Sequence, residues 1–234
     1  MFDCPRPVLD YWHTAFEGTL AETRGNFILS VVSTLDRKRP AMMLERADGS
    51  IRAAITPELA SAIHLDASMA TAAALRERLK EQGIAFHDPD YLFYLPANGG
   101  LVAGNRAFAR QLTEEDRAAF DTFHATASEQ DREDAFVEFA HWAVFGCFDG
   151  GRLVSAASAI LWHHSPMADL GILTLPDSRG KGYASAAVRS IAGFARQQGY
   201  EPQYRCQMNN QASIGLAKAC GLALFGTWVV AAEA

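Results

Sequence analysis

The sequence predicts an α/β protein, and three observations carry that reading. Runs with apolar residues spaced three or four apart alternate with short β-branched and aromatic runs. Hydrophobic residues make up 49% of the 234, enough for a sizeable core. Residues 169–184 pass from an apolar, strand-like run through Pro176 and a loop with Gly180 and Gly182 into a helical pattern. Such a junction gathers unpaired backbone N–H groups and the positive end of a helix dipole at one spot, which suits a pyrophosphate. Glycines let an anion approach that backbone because no Cβ intervenes.

In chain order, Leu9, Trp12, Phe16 and Leu20 share one face of a helix over residues 8–20, and residues 26–32 switch to a strand. Residues 41–45 and 50–55 flank Asp48-Gly49 as a hairpin, and Thr56-Pro57-Glu58 then offers a cap with proline at the first helical position. Residues 69–82 read as a helix stopped by Gly83, and residues 91–95 as a buried strand closed by Pro96. Ala97-Asn98-Gly99-Gly100 marks a break between two units, with Leu101 to Ala103 still apolar behind it. A strand over residues 107–112 precedes Thr113 and Asp116, a capping arrangement that opens a helix with Phe120 and Phe123. Ser128 opens a second, acidic helix running to Ala140, and strands at 142–148 and 152–161 join through Asp149-Gly150-Gly151. After the loop at 163–167 comes the strand from Ala168. Past the glycine loop, Ala184, Ala187, Val188, Ile191 and Ala195 form the apolar face of a helix ended by Gly199. A strand at 203–208, a helix at 210–220 ended by Gly221 and a strand at 222–230 complete the chain.

The net charge of -6 argues against broad nucleic-acid binding. From Ala168 onward, however, six bases meet four acids, a local field suited to a phosphorylated ligand. Apolar runs break well short of the roughly 18 residues of a membrane span, and the first residues lack a basic-then-apolar leader pattern. No membrane association and a cytoplasmic location are the expectation. Cys4, Cys147, Cys206 and Cys220 lie far apart and read as buried or free thiols. His163 and His164, adjacent in a strand, point to opposite faces and cannot clamp one metal, so no metal is assigned.

The glycine loop fits neither the Walker A pattern nor the dinucleotide-binding Gly-x-Gly-x-x-Gly. It resembles the acyl-CoA loop of the GCN5-related N-acetyltransferases, the GNAT superfamily: Arg or Gln, two residues, Gly, one residue, then Gly or Ala, filled here by Arg179, Gly182 and Ala184. A second segment, from Asn210 through Ser213, Leu216 and Ala217 to Gly221-Leu222, resembles the family's Asn-x-x-Ser-x-x-Leu-Tyr-x-Lys-Leu-Gly-Phe. The element order from Ala107 is also that of the family. The resemblance covers residues 107–234 and implies a GNAT domain there, a central mixed β-sheet with splayed strands flanked by helices. Residues 1–100 show no such match and read as a smaller N-terminal α/β unit, either a degenerate copy of the same fold or an unrelated cap.

What the resemblance implies for function is acetyl-CoA-dependent transfer of an acetyl group to a primary amine of a small molecule or peptide. The pantetheine would lie along the backbone around Leu173, Thr174 and Leu175, and the pyrophosphate on Arg179, Gly180, Lys181, Gly182, Tyr183 and Ala184. Asn210 and Ser213 would face the cofactor arm, although Asn210 reads equally as a helix cap. Ala217 stands where many members carry the tyrosine that protonates the departing thiolate, leaving that role vacant unless Tyr183 or Thr174 substitutes. For the base, Asp169 on the fourth strand comes first, with Glu138 and His141 at the end of the second helix as alternatives. Two other readings stay open: a non-catalytic acyl-CoA-binding or regulatory module with a GNAT fold, and a nucleotide binder using the same helix N-terminus. The acceptor would be chosen by loops and the N-terminal half. The reading allows a homodimer and names no nucleic-acid partner.

Overall fold

The computed structural model describes residues 3–66, 69–99, 109–162 and 165–233. Gly100, the apolar stretch at 101–103, the start of the strand expected at 107 and the His163-His164 pair lie outside the described residues. Among the described residues no helix is long and apolar enough to cross a membrane.

The N-terminal segment folds as helix α1 (Arg6–Ala15), strands β1 (Thr19–Arg24), β2 (Phe27–Val31), β3 (Ala41–Arg46) and β4 (Ile51–Ile55), helices α2 (Pro57–Ala62) and α3 (Ala72–Glu81), and strand β5 (Asp90–Tyr94). Helix α1 stops short of the expected residue 20. Gly18 passes so close to β2 that a Cβ there would overlap the Val31 carbonyl, and Leu20 lies in β1 at 62% exposure. Thr56 Oγ1 accepts from Leu59 N at 3.2 Å and Thr71 Oγ1 from Ala74 N at 3.2 Å, so side-chain caps start α2 and α3. The second cap places the start of α3 beyond Met69, which is buried in the core below it.

The rest of the chain gives β6 (Ala109–Gln111), α4 (Arg117–Thr126), α5 (Glu129–Ala135), β7 (Ala143–Asp149), β8 (Arg152–Leu161), β9 (Met167–Thr174), α6 (Tyr183–Gln197), β10 (Glu201–Gln207), α7 (Gln211–Ala219) and β11 (Ala223–Val230). Asp116 accepts from Thr113 N at 2.9 Å and from Arg110 at 2.6 and 2.7 Å, and the guanidinium beside it holds its carboxyl down at about 2. Helix α5 does not reach Ala140. Phe136 takes φ +46° and stops the helix at Ala135, so Glu138 and His141 stand in the turn before β7 and not on a helix.

Among the described residues, eleven strands join one sheet in the order β1-β2-β4-β3-β11-β5-β10-β9-β8-β7-β6. The β2–β4 and β9–β10 pairs are parallel and the others antiparallel, so the sheet is mixed. Strand β5, from the N-terminal segment, pairs with both β10 and β11, which interleaves the two segments within the sheet. The chain leaving β5 is held as well: Arg196 on α6 donates to the carbonyls of Leu95, Pro96 and Gly99 at 3.3, 2.9 and 2.9 Å. On one face α6 and α7 cover β7 to β10, while α2 and α3 cover β2 to β4. On the other, α1 covers β3, β5 and β11, while α4 and α5 cover β7 to β9.

Between α1 and the α4–α5 pair this second face carries a polar strip, rooted in a buried chain of hydrogen bonds. Trp12 Nε1 donates to Tyr94 Oη at 2.9 Å, Tyr94 donates to Gln203 Oε1, and Gln203 Nε2 donates to Asp169 Oδ1 at 3.0 Å. Tyr94 and Gln203 have no exposed surface, and burial pushes the Tyr94 phenol well above its ordinary pKa. The chain ties α1 and β5 to β10 and β9. Tyr94→Phe would leave the Trp12 N–H and the Gln203 carbonyl unpaired in the core, an expected loss of roughly 1–3 kcal/mol. Denaturant unfolding measures it, and an unchanged midpoint would remove this chain as a tie between the segments.

Candidate active site

Strands β9 and β10 run parallel and paired from Met167 and Glu201 only as far as Leu170 and Tyr204. Beyond that point β9 stays with β8 to Thr174, and β10 stays with β5 to Gln207. The sheet therefore forks. The side of Gly171 to Thr174 that turned toward β10 has no strand partner, so its backbone N–H and C=O groups are open to an extended, amide-bearing ligand. A cleft of about 330 Å³ enters the fork between Leu170, Gly171, Tyr204, Arg205 and Asp90. A second, of about 600 Å³, continues along Leu173 and Thr174 to the start of α6.

The loop ahead of α6 has the form its glycines require. Pro176–Ser178 makes a single 3-10 turn, Gly180 sits at φ +75° and Gly182, the residue before the helix, at φ +87°. A Cβ at either glycine would meet nothing within 4 Å, so the loop backbone faces open space. The amides of the first turn, from Tyr183 onward, lack intrahelical partners and point out along the positive end of α6. Lys181 is exposed beside them. Arg179 is drawn aside: its Nε donates to Thr174 O at 3.2 Å and its Nη2 to Asp131 at 2.8 Å. Asn210 caps α7 by accepting from Ser213 N at 3.0 Å, and both residues line the two clefts.

The departure at Ala217 has a structural counterpart. Ala217 is fully buried and Leu216 lines the larger cleft instead. Of the two substitutes, Tyr183 is hydrogen-bonded to Asp149, which raises its pKa, and the Thr174 hydroxyl is 2.7 Å from Ser155 Oγ.

The three sequence-nominated bases have different surroundings. Asp169 is 9% exposed and accepts from Gln203 and, at 3.1 and 2.9 Å, from Nε and Nη2 of Arg205. Both its oxygens are engaged by these donors, so its position suits holding Arg205. Glu138 is exposed, 3.9 Å from His124, and lines none of the clefts described here. His141 lines a recess of about 90 Å³ with Phe136, Ser158, Ile160, Asp169 and Gly171, beside the fork. Its Nδ1 lies 2.8 Å from Ser158 Oγ, and burial lowers its pKa below 6.5 against the opposing pull of Glu138.

Several residues of this region carried no readable signal. Arg205 also reaches Asp90 at 3.2 Å, and its guanidinium lies 4.4 Å from the Trp162 ring and 5.9 Å from that of Trp228. Together with His87 and Asp88 they surround a cavity of about 520 Å³. Burial raises the Asp90 carboxyl, opposed by Arg205 and reinforced by Asp169 and Asp88. Asp90 follows Asp88-Pro89 and reads as part of a turn. Of the cluster only Asp169 is singled out by the sequence; Arg205 sits in Gln203-Tyr204-Arg205-Cys206-Gln207, a run too mixed to mark it.

Residues 109–222 match the profile of the Acetyltransferase (GNAT) family. A GNAT-family structure from Novosphingobium aromaticivorans is similar at 18% identity, with a TM-score of 0.50 over 65% of this chain and 68% of that one. A GNAT-family acetyltransferase from Colwellia psychrerythraea is similar at 18% identity, with a TM-score of 0.50 over 76% of this chain and 75% of that one. No curated protein matches the sequence.

Asp169→Asn should leave Arg205 short of a countercharge. The expected loss is near the low end of the roughly 3–5 kcal/mol for breaking a buried pair, because Asp90 and a part-exposed edge remain to Arg205. Thermal or denaturant unfolding reads it. Unchanged stability would mean that the tryptophan contacts hold Arg205 unaided.

Proposed function

Because residues 109–222 belong to the GNAT superfamily, we propose that the protein is an acetyl-CoA-dependent N-acetyltransferase acting on a primary amine of a small molecule or peptide. The observation that carries this is the fork between β9 and β10, which opens in line with the N-terminus of α6. When bound, acetyl-CoA supplies an activated acetyl thioester. The chain's part is to hold it and to manage charge and protons. The free backbone edge at Leu173, Thr174 and Leu175 binds the pantetheine amides, and the residues from Arg179 to Ala184 bind the pyrophosphate through first-turn amides and Lys181. Gly180 and Gly182 fit that role because their backbone is open to the approach of an anion. Asn210 and Ser213 form the opposite wall. A backbone N–H of β9 at the fork polarises the thioester carbonyl where charge develops.

The amine comes in along the polar strip. Of the three nominated bases, His141 fits best as proton acceptor: its lowered pKa keeps it neutral at pH 7, and with Nδ1–H donating to Ser158 the basic nitrogen is Nε2. Asp169 positions Arg205. A binding module without catalysis is the second reading, favoured by the buried Ala217 and by the engaged hydroxyls of Tyr183 and Thr174. Thiol release from acetyl-CoA on a panel of amines separates the two.

Gly182→Val puts a β-branched residue at φ +87°, which displaces the loop backbone. More than a tenfold loss of CoA affinity is expected by calorimetry on a variant shown to be folded by circular dichroism, and full affinity would refute the loop assignment. His141→Ala is expected to lower turnover by roughly 10²–10⁴ with CoA affinity retained. In the wild type, kcat/KM should rise through a limb below pH 6.5, where the imidazole loses its proton, and again as the amine deprotonates. The variant should keep only the second limb. A variant with both limbs and wild-type turnover would take His141 out of the reaction.

A further inference from the structure

Phe136 is costly to the fold. A bulky residue in the left-handed region is disfavoured by roughly 1–2 kcal/mol, and this helix-terminating position is one that glycine fills more cheaply. Burial of the side chain does not offset that cost, because Phe136 is 59% exposed while the next residue, Val137, is buried. Backbone outliers of this kind persist where the surroundings impose them and gather at functional sites.

The ring is nonetheless well placed. It lies 4.9 Å from the His141 ring at 57° and forms the outer wall of the recess that holds His141, Asp169 and Gly171. Its height above the fork is fixed from below: the carbonyls of Ala135 and Phe136 press on Gly171 so closely that a Cβ there would overlap the first of them. The recess, at about 90 Å³, is the smallest of the cavities around the fork and suits an amino group better than the body of an acceptor. The body therefore extends beyond the recess, and Phe136, 59% exposed at its outer wall, offers an apolar surface there, beside the cleft at the fork that shares Leu170, Gly171 and Arg205 with the recess.

We propose that Phe136 determines specificity in the acceptor site and that the acceptor is a primary amine next to a flat or apolar group. That group packs on the Phe136 ring while the amine points to His141 and Gly171, with Ile160 and Leu170 completing the apolar wall. Asp134 lines the same recess and attracts the amine in its charged form. This inference rests on the acetyltransferase reading above.

The test compares phenethylamine with ethanolamine as acceptors for the wild type, Phe136→Gly and Phe136→Trp, following thiol release from acetyl-CoA. The wild type should prefer phenethylamine by tenfold or more in kcat/KM. Phe136→Gly should lose that preference through KM, with CoA affinity unchanged and an unfolding temperature equal to or above the wild type. Phe136→Trp should retain the preference. If Phe136→Gly slows both amines equally and moves the limb below pH 6.5, the ring serves only to shield His141 and the proposal is overturned. Thiol release by the wild type without preference for phenethylamine overturns it too and leaves the acetyltransferase reading standing. No thiol release with any amine, including a wider panel, overturns both.

Discussion

A sheet that forks must keep its two halves in register up to the fork and apart beyond it, and one ion pair meets both needs. Asp169 stands in the last paired stretch of β9, and Arg205 is the first residue of β10 past the last pair. Their contact at 2.9 Å reaches back across the mouth of the opening. Beyond it the strands are free to part. Arg205 then turns to Asp90 on β5 and stacks against Trp162, so the branch that leaves β9 is fastened to the other half of the sheet. Buried ion pairs contribute little net stability, because desolvation cancels much of the attraction. What this one contributes is position, and its failure on removal of either partner follows from the same imbalance.

The N-terminal segment is drawn in by that arrangement. Strand β5 fills the place between β10 and β11, and Tyr94, Asp90 and Leu92 project from it onto the same face as Arg205 and Asp169. Tyr94 carries the hydrogen-bond chain on to Trp12, and α1 is held over the sheet by Trp12, Val8 and Phe16. One strand thus supplies core to one segment and part of the cleft lining to the other. This is also why the strip side of the fork is not built from residues 109–222 alone.

The sequence disclosed what is decided within about ten residues. Thr56, Thr71, Asn210 and the pair Gly180 and Gly182 are local devices, and each forms as its neighbours require. Leu20 misled because helical spacing continues past a point where Gly18 must slide against a strand thirteen residues away. Helix α5 misled because nothing in its composition announces a phenylalanine in the left-handed region, and the space its last carbonyls occupy is left by Gly171, far along the chain. The Asp169–Arg205–Asp90 cluster depends on strand register between three distant segments, which no local pattern encodes. Asp169 was therefore visible as a carboxylate at a strand start but not as the partner of an arginine.

The two approaches to the fork differ in charge, and the difference follows from which elements line them. On the α6 side lie backbone amides, Lys181 and an Arg179 whose pairing with Asp131 anchors it at the loop without removing it. On the strip side two carboxylates face the single charge of Arg205, and Asp88 stands with Arg39 around the neighbouring cavity; Asp134 lies at the border, lining the α6-side cleft as well as the recess. On the acetyltransferase reading proposed above, the helix amides and Lys181 would favour an anionic cofactor on the α6 side and the excess carboxylate of the strip a cationic amine on the other. The recess at His141 lies where the two meet, lined partly by Phe136, Ile160 and Leu170, and on the same reading an ammonium drawn toward Asp134 would be desolvated as it entered. Desolvation lowers the pKa of an amine as it lowers that of His141, which brings both toward the neutral forms that acyl transfer requires.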